Sequence, residues 1–174
     1  RLSMLPRGFG QFPALEILDL TYNNLSERSL PGNFFFMQTL RALYLGDNDF
    51  EMLPGDVANL TNLQILVLRD NDLLTLPREL SQLARLKELH IQGNRLTTLP
   101  PELGHLDLCG PKATLRLEHN PWVSVLAEQF EAGGAPAVMD HIRGESYKYF
   151  YGRQEAGTST IPGKKNKDKK VSRA

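Results

Sequence analysis

The segment from Leu63 to Leu73, LQILVLRDNDL, combines regularly spaced leucines with a single asparagine. Leu66 and Leu68 lie two residues apart, so in an extended strand both side chains point to the same side of a sheet. Asn71 follows three residues later, where the chain turns away from the strand. We expect its side-chain amide to bond backbone groups of that turn and of a neighbouring segment, because a buried backbone group without a partner costs about 1–3 kcal/mol.

The same pattern occurs in four strong copies, and a fifth, degenerate copy keeps Leu115, Leu117 and Asn120. Successive asparagines are 25, 23, 23 and 26 residues apart. A period of this length, with leucines at these positions, is the mark of leucine-rich repeats, which stack because a single unit cannot bury its own leucines. The predicted asparagine ladder consists of Asn23, Asn48, Asn71, Asn94 and Asn120.

The segments between the predicted strands repeat as well, for example Leu76-Pro77, Leu80 and Leu83. Their apolar residues are three apart, a spacing that favours a 3₁₀ or irregular turn over a long helix. The sequence therefore predicts an α/β solenoid. It is a leucine-rich repeat array with a curved parallel sheet on the concave side, an irregular or 3₁₀ convex side and a C-terminal helical cap.

We predict three parts in the chain: repeats over residues 1–120, the first incomplete and the last degenerate; a helical cap over 121–152; and a basic disordered tail over 153–174. The first six residues match the middle of a later repeat. An uncapped array would expose leucines and a sheet edge, so we expect further repeats upstream in the full protein.

The cap is predicted to contain two helices. One runs from Val123 to Ala132 and is ended by Gly133-Gly134. The second starts near Pro136, which suits a first helical turn, and its inner face carries Val138, Ile142 and Tyr149. These helices would cover the leucines of the last repeat. The alternative is a partner-docking surface formed by Tyr147, Tyr149 and Tyr151.

Charge is distributed unevenly along a chain whose formal net charge is zero. Residues 153–174 hold seven Lys and Arg against two acids, so the remainder is net −5. A mildly acidic array does not suit nucleic-acid binding. The run KKNKDKK in the tail is typical of a solvated segment, or of one that contacts anionic lipid or directs localisation. No run of about 20 apolar residues is present, so we predict no stable membrane insertion.

The single cysteine, Cys109, excludes a disulfide within the chain and favours a reducing, intracellular setting. We predict that it is a small buried hydrophobic residue at a leucine position. The alternative is a nucleophile with His105 or His119 as its base. No Cys-His-Asp spacing, metal-ligand cluster or phosphate-binding glycine loop accompanies it, so the sequence predicts no metal or cofactor and argues against an enzyme.

The functional prediction concerns the strand residues that alternate with the inward leucines, because packing does not fix their identity. They give an apolar centre of Tyr44, Ile65 and Val67. Around it lie charged and polar residues: Asp19, Arg69, Glu88, His90 and Arg116. An aromatic anchor inside a charged rim is typical of a specific protein interface, so we predict that this concave face binds a partner protein. The alternative is ordinary strand surface.

Several longer stretches resemble the Ras suppressor family, which are intracellular leucine-rich repeat proteins of cell–matrix adhesions. The stretches are LTYNNLSERSLPGNFF (20–35), LRALYLGDNDFEMLP (40–54), LKELHIQGNRLTTLPPELG (86–104), NPWVSVLAEQF (120–130) and SYKYFYGR (146–153). The first and the last of them are the most specific, and the similarity covers essentially the whole chain.

The resemblance implies a non-enzymatic adaptor in the cytoplasm at focal adhesions. Such proteins bind a LIM-domain adaptor of the PINCH type, reach the integrin-linked kinase–parvin complex through it, and dampen Ras signalling. Carried onto this chain, the expected contacts are Asp19, Tyr44, Val67, Arg69 and His90. A function of another class is a regulatory scaffold subunit that holds a GTPase or phosphatase near its substrate.

Overall fold

One parallel sheet runs through the whole stack of repeats, and the computed structural model describes residues 1–157. Its five strands lie in sequence order, each hydrogen-bonded to the next. They are β1 (Ile17–Asp19), β2 (Ala42–Tyr44), β3 (Ile65–Val67), β4 (Glu88–His90) and β5 (Thr114–Arg116). The central leucine of each strand stands opposite that of its neighbour. The predicted leucine-rich repeat solenoid is confirmed.

The connections between strands are short 3₁₀ helices, as the leucine spacing of three predicted. Proline precedes four of them and fits there because its fixed φ suits an extended entry and it has no N–H to leave unpaired. The 3₁₀ helices are Arg7–Gln11, Glu27–Ser29, Phe34–Phe36, Gly55–Asn59, Arg78–Gln82 and Pro101–His105. The longer first connection contains two of them, so the extra residues of that repeat lie outside the sheet.

The core is a single continuous column of buried leucines. Leu66 and Leu68 have no exposed surface, and the equivalent residues of the flanking repeats are buried beside them. The isolated unit could not exclude water from these side chains, so the stacking of neighbours supplies the apolar burial that stabilises each repeat.

The five asparagines make the hydrogen bonds expected of them. The amide nitrogen of Asn71 donates to the carbonyls of Leu68 in its own repeat and Leu45 in the preceding one, at 3.1 and 2.9 Å. Its amide oxygen accepts from the backbone N–H of Phe50, at 3.0 Å. Asn48 and Asn94 repeat this pattern, and both are buried. Each amide therefore ties two repeats together by satisfying backbone groups of both.

The residue before each ladder asparagine has a left-handed backbone. Its φ is between 53° and 70° at Tyr22, Asp47, Asp70, Gly93 and His119. In the first four of these the backbone N–H donates to a carbonyl of the next repeat, at 3.0 to 3.1 Å. A left-handed conformation costs a non-glycine residue about 1–2 kcal/mol. The hydrogen bonds around each asparagine offset that cost.

The helical cap covers the last repeats, but its helices differ from the predicted ones. Helix α1 (Ser124–Ile142) contains a break at Gly134, where φ is 69°. A second break at Arg143 and Gly144 precedes helix α2 (Glu145–Gly157). This second break was not predicted. It changes the helical register, so Tyr149 is 69% exposed and not on the inner face, while Tyr147 is buried.

Tyr147 fixes the cap to the array. Its hydroxyl accepts from the backbone N–H of Leu99 at 3.0 Å and donates to the carbonyl of the same residue. Arg143 adds a bond from Nε to the carbonyl of Gly104 at 2.7 Å. Because Tyr147 is buried and Tyr149 exposed, the alternative of one tyrosine docking surface is wrong.

The prediction of a buried Cys109 is also wrong, because Cys109 is exposed and the neighbouring Leu108 is buried in its place. The repeat is three residues longer here, so the chain can loop out after Leu108 while this larger side chain fills the core. The predicted tail boundary differs too, since α2 continues through Gly157 and includes residues 153–157. The remainder of the predicted basic disordered tail lies outside the described residues.

Substituting Leu66→Ala is expected to lower the free energy of unfolding by about 2–5 kcal/mol, because a cavity would remain in the core. Urea denaturation of both proteins measures the difference. Ile17→Ala is the control, since Ile17 is 65% exposed and should change stability by no more than about 0.5 kcal/mol. Equal effects of the two substitutions would contradict the inward placement of Leu66.

Substituting Asn71→Ala is expected to cost at least about 1 kcal/mol, because it removes hydrogen bonds to buried backbone groups of two repeats. The free energy of unfolding from thermal or urea denaturation provides the measurement. Asn24→Ala is a matched control on an exposed asparagine. If both variants unfolded like the unmodified protein, the ladder would not contribute to stability.

Candidate functional site

The strand residues that alternate with the buried leucines share one face of the sheet. In register, Asp19 is paired with Tyr44, Tyr44 with Val67, and Val67 with His90. Arg116 follows His90 on the fifth strand. The predicted concave residues therefore form continuous rows across neighbouring repeats.

Four strands and the turns after them form one open depression of about 680 Å³ on this face. Its lining combines aromatic, apolar and charged side chains: Asp19, Thr21, Tyr22, Tyr44, Val67, Arg69, Glu88 and His90. Val67 is almost completely covered, whereas Tyr22 is 58% exposed. The depression is shallow and wide, a shape suited to a protein surface more than to an enclosed small molecule.

Arg69 is held by two carboxylates and an aromatic ring. Its guanidinium bonds the carboxylates of Asp47 and Asp70, the latter at 3.1 Å. It also lies over the Tyr22 ring, 5.8 Å from the centroid. Partial burial acts to lower the pKa of Arg69, but the attraction of Asp47 and the hydrogen bonds from the guanidinium outweigh it and raise the pKa. Arg69 is thus a fixed cation that orients its neighbours.

Asp19 stays ionised at the other side of the depression. The Thr21 hydroxyl donates to its carboxylate at 2.6 Å, and the Thr21 backbone N–H donates to the same oxygen at 3.0 Å. These two bonds lower the pKa of Asp19, and the charge of Arg69 contributes in the same direction. The carboxylate therefore presents a fixed negative charge toward a partner.

A second polar pair borders the depression on β4. His90 Nε2 and the Glu88 carboxylate are 3.3 Å apart. On β5, Arg116 lies 3.7 Å from Glu118, and both side chains are substantially exposed. An exposed pair such as Arg116–Glu118 contributes little to stability, about 0–1 kcal/mol, so its charges are available to a partner at low cost.

The repeats are also recognised by comparison with known proteins. The family model described as a leucine-rich repeat region matches residues 2–109.

The chain belongs to the leucine-rich repeat family.

Within this family, the chain is similar to Ras suppressor protein 1 of three mammals. It is 68% identical to the Homo sapiens protein over 150 residues, which is 86% of this chain and 54% of the relative. Identity to the Bos taurus protein is 70% over 148 residues, covering 84% of this chain and 53% of the relative. The Mus musculus protein is 64% identical over 83% of this chain. The chain spans about half the length of the curated relatives it matches.

Solved leucine-rich repeat structures share the fold. A leucine-rich repeat protein of Leptospira interrogans superposes with a TM-score of 0.66 at 32% identity, over 79% of this chain and 33% of that one. The Arabidopsis receptor kinase HAESA, in complex with a peptide hormone and a co-receptor, gives a TM-score of 0.58 at 31% identity, over 69% of this chain and 20% of that one.

Six of the eight predicted contact residues line the depression of this leucine-rich repeat face. Ile65 and Arg116 lie on the same face but outside it. Sequence reasoning missed Tyr22 and Asp47, which place Arg69. Both directly precede a ladder asparagine, the position at which every repeat turns left-handed. The residue before the asparagine recurs in every repeat, and this recurrence was the sequence signal from which both residues could have been found.

The alternative chemistry at Cys109 is weakened by its surroundings. Partial burial of the sulfur raises the pKa of the thiol; the charge of Arg143 acts to lower this pKa, and the weaker effect of the Asp107 carboxylate acts to raise it. A raised pKa leaves less thiolate at neutral pH, and the thiolate is the nucleophile.

Among residues 1–157, no group of three or more His, Cys, Asp or Glu is placed to hold a metal ion. No helix in this described part is long and apolar enough to cross a bilayer.

Substituting Thr21→Val is expected to raise the pKa of Asp19 toward its ordinary value, because the hydroxyl donor is lost while side-chain shape is kept. A carboxyl NMR titration measures the pKa. Since the folded pKa of Asp19 is lowered, its contribution to stability is present above an unfolded pKa of about 3.9 and disappears as the pH falls through the folded value. A titration that the substitution leaves unchanged would contradict the assigned cause.

Proposed function

We propose that this chain is a non-enzymatic protein-interaction adaptor that binds a LIM-domain protein of the PINCH type through its concave face. Through that protein it joins the integrin-linked kinase–parvin complex at focal adhesions in the cytoplasm and dampens Ras signalling. The observation that carries the proposal is the open depression, in which side chains from four successive repeats meet around Tyr44 and Val67.

The composition of the depression supports a protein partner. Tyrosine is among the residues that contribute most at protein interfaces, because a large rigid ring is buried with little loss of conformational entropy. Tyr44 and Tyr22 are presented on a rigid sheet and its turns, so little ordering is needed on binding. The similarity to Ras suppressor protein 1 supports the connection to Ras signalling.

Charge further defines the partner. The carboxylates of Asp19, Asp47, Asp70 and Glu88 outnumber the fixed cation Arg69 in and beside the depression. A partner surface with basic groups around an apolar patch would complement it, and such complementarity mainly raises the association rate. Association with the LIM-domain protein should therefore slow as salt screens these charges.

The adaptor role does not require catalysis. The one nucleophile considered from the sequence, Cys109, is exposed but has a raised pKa, and it lies outside the depression. A regulatory scaffold for a GTPase or phosphatase would use the same binding chemistry. Purification of the chain with such a catalytic subunit in place of a LIM-domain protein would favour that function.

Substituting Tyr44→Ala is expected to weaken binding of a PINCH-type LIM-domain fragment by about tenfold or more, because an interface anchor contributes roughly 1.4 kcal/mol or more. Isothermal titration calorimetry gives the dissociation constants. Tyr149→Ala is the matched control, since Tyr149 is an exposed tyrosine on α2 outside the depression. Unchanged binding by a folded Tyr44 variant would reject the concave face as the site, and no binding by the unmodified chain would reject the partner.

A further inference from the structure

A backbone donor and acceptor recur between each strand and the following 3₁₀ helix, where a leucine precedes a proline. Leu53, Leu76 and Leu99 occupy this position, 23 residues apart. Proline favours an extended conformation in the residue before it. In extended backbone the N–H and the C=O of one residue point in the same direction. Each of these leucines therefore presents a hydrogen-bond donor beside an acceptor.

At Leu99 a single hydroxyl satisfies both groups. The Tyr147 hydroxyl accepts from the Leu99 N–H at 3.0 Å and donates to the Leu99 carbonyl. A carboxylate could not donate to this carbonyl, and an ammonium group could not accept from this N–H. The contact of Tyr147 with Leu99 thus identifies the chemical group that fits such a pair, one oxygen that accepts and donates.

At Leu76 the same backbone pair has no hydrogen-bond partner among residues 1–157. Leu76 is 4% exposed, and Leu99, with Tyr147 bound to it, is 1% exposed. Backbone groups that are shielded from water and lack a partner are unfavourable. A ligand group that satisfied both the N–H and the C=O of Leu76 would remove this cost.

Leu76 lines an open depression of about 760 Å³ beside helix α2, which we call the convex groove. The groove is lined by residues 74–79, Thr97, Thr98, Tyr151, Gln154 and Glu155. None of them lines the concave depression. The volume is large enough to admit a side chain from another molecule to the Leu76 backbone.

Tyr151 connects the convex groove to the existing contact at Leu99. Its ring lies 6.1 Å from the ring of Tyr147, between centroids, and Tyr151 also lines the groove. An aromatic ring bound in the groove would therefore have Tyr151 as an aromatic neighbour, as Tyr147 does. Such pairs add to the stabilisation that burial of the rings provides.

The charges of the groove favour a neutral ligand over an anion. Its charged lining residues are Arg78, Glu79 and Glu155. Arg78 lies 3.7 Å from Glu79, so its charge is already partly offset. A phosphate group would face the two carboxylates and could not donate a hydrogen bond from an ionised oxygen to the Leu76 carbonyl.

We propose that the convex groove binds an unphosphorylated tyrosine side chain of a partner protein. The tyrosine hydroxyl accepts from the Leu76 N–H and donates to the Leu76 carbonyl. The partner thereby repeats, one repeat earlier in the array, the contact that Tyr147 makes with Leu99. The site is separate from the concave depression and does not rest on the function proposed for that face.

NMR titration of the ¹⁵N-labelled full chain tests the proposal with three matched compounds. N-acetyltyrosinamide should shift the Leu76 amide signal in a saturable manner. N-acetylphenylalaninamide, which lacks only the hydroxyl, should bind about tenfold more weakly, because two hydrogen bonds are lost. The phosphotyrosine analogue should not shift this signal. The Leu99 amide should not respond to any of the three, because Tyr147 already occupies it.

Two further controls separate binding in the groove from general contact with backbone amides. Leu53 presents the same backbone pair but does not line the groove, so its amide signal should not shift. Thr75 is an exposed lining residue. Thr75→Trp should abolish the Leu76 response by filling the groove, while Thr75→Ser should retain it.

The proposal is overturned if the tyrosine and phenylalanine compounds bind equally, since the groove would then be only an apolar surface. It is also overturned by equal shifts at Leu53 and Leu76, by tighter binding of the phosphotyrosine compound, or by a response that survives Thr75→Trp. The comparison of the three compounds uses the unmodified chain, so it stands even if a Thr75 variant fails to fold.

Discussion

The hydrogen bonds of the buried asparagines hold successive repeats in one alignment. Each of Asn48, Asn71 and Asn94 donates to carbonyls of two repeats and accepts from a backbone N–H of the preceding one. No apolar residue could satisfy these buried groups, so the turn after each strand is fixed in space. With the turns fixed, the three-residue strands stay in register and the leucines between them share one core.

This constraint also explains why the outer parts of the repeats vary. The 25-residue and 26-residue steps keep the strand, the turn and the asparagine, and they place their additional residues in the connections. Leu108 can therefore replace the expected residue at Cys109, because the connection only has to deliver a large apolar side chain to the core. The cap is also attached by hydrogen bonds to buried backbone groups. The Tyr147 hydroxyl accepts from the N–H of Leu99 and donates to the carbonyl of Leu99 at the end of the leucine core.

Much of the fold could be predicted from the sequence, because the regular spacing of leucines and asparagines shows which positions are buried in each repeat. The concave residues followed from alternation along the strand, which places Asp19, Tyr44 and His90 on one face. Features set by tertiary contacts could not be predicted. The left-handed turns contain glycine in only one of five repeats, the break before α2 depends on local packing, and the contact of Arg69 with Tyr22 joins residues 47 positions apart.

The parallel register of the sheet has a geometric consequence for recognition. Neighbouring strands are about 4.8 Å apart, so the row from Asp19 to His90 spans about 14 Å in fixed steps. A molecule that engages the entire row must present its own groups at matching intervals on a stiff framework. The face thereby selects partners by the spacing of their contact groups as well as by the chemistry of those groups. A flexible peptide would have to lose conformational entropy to match the same spacing.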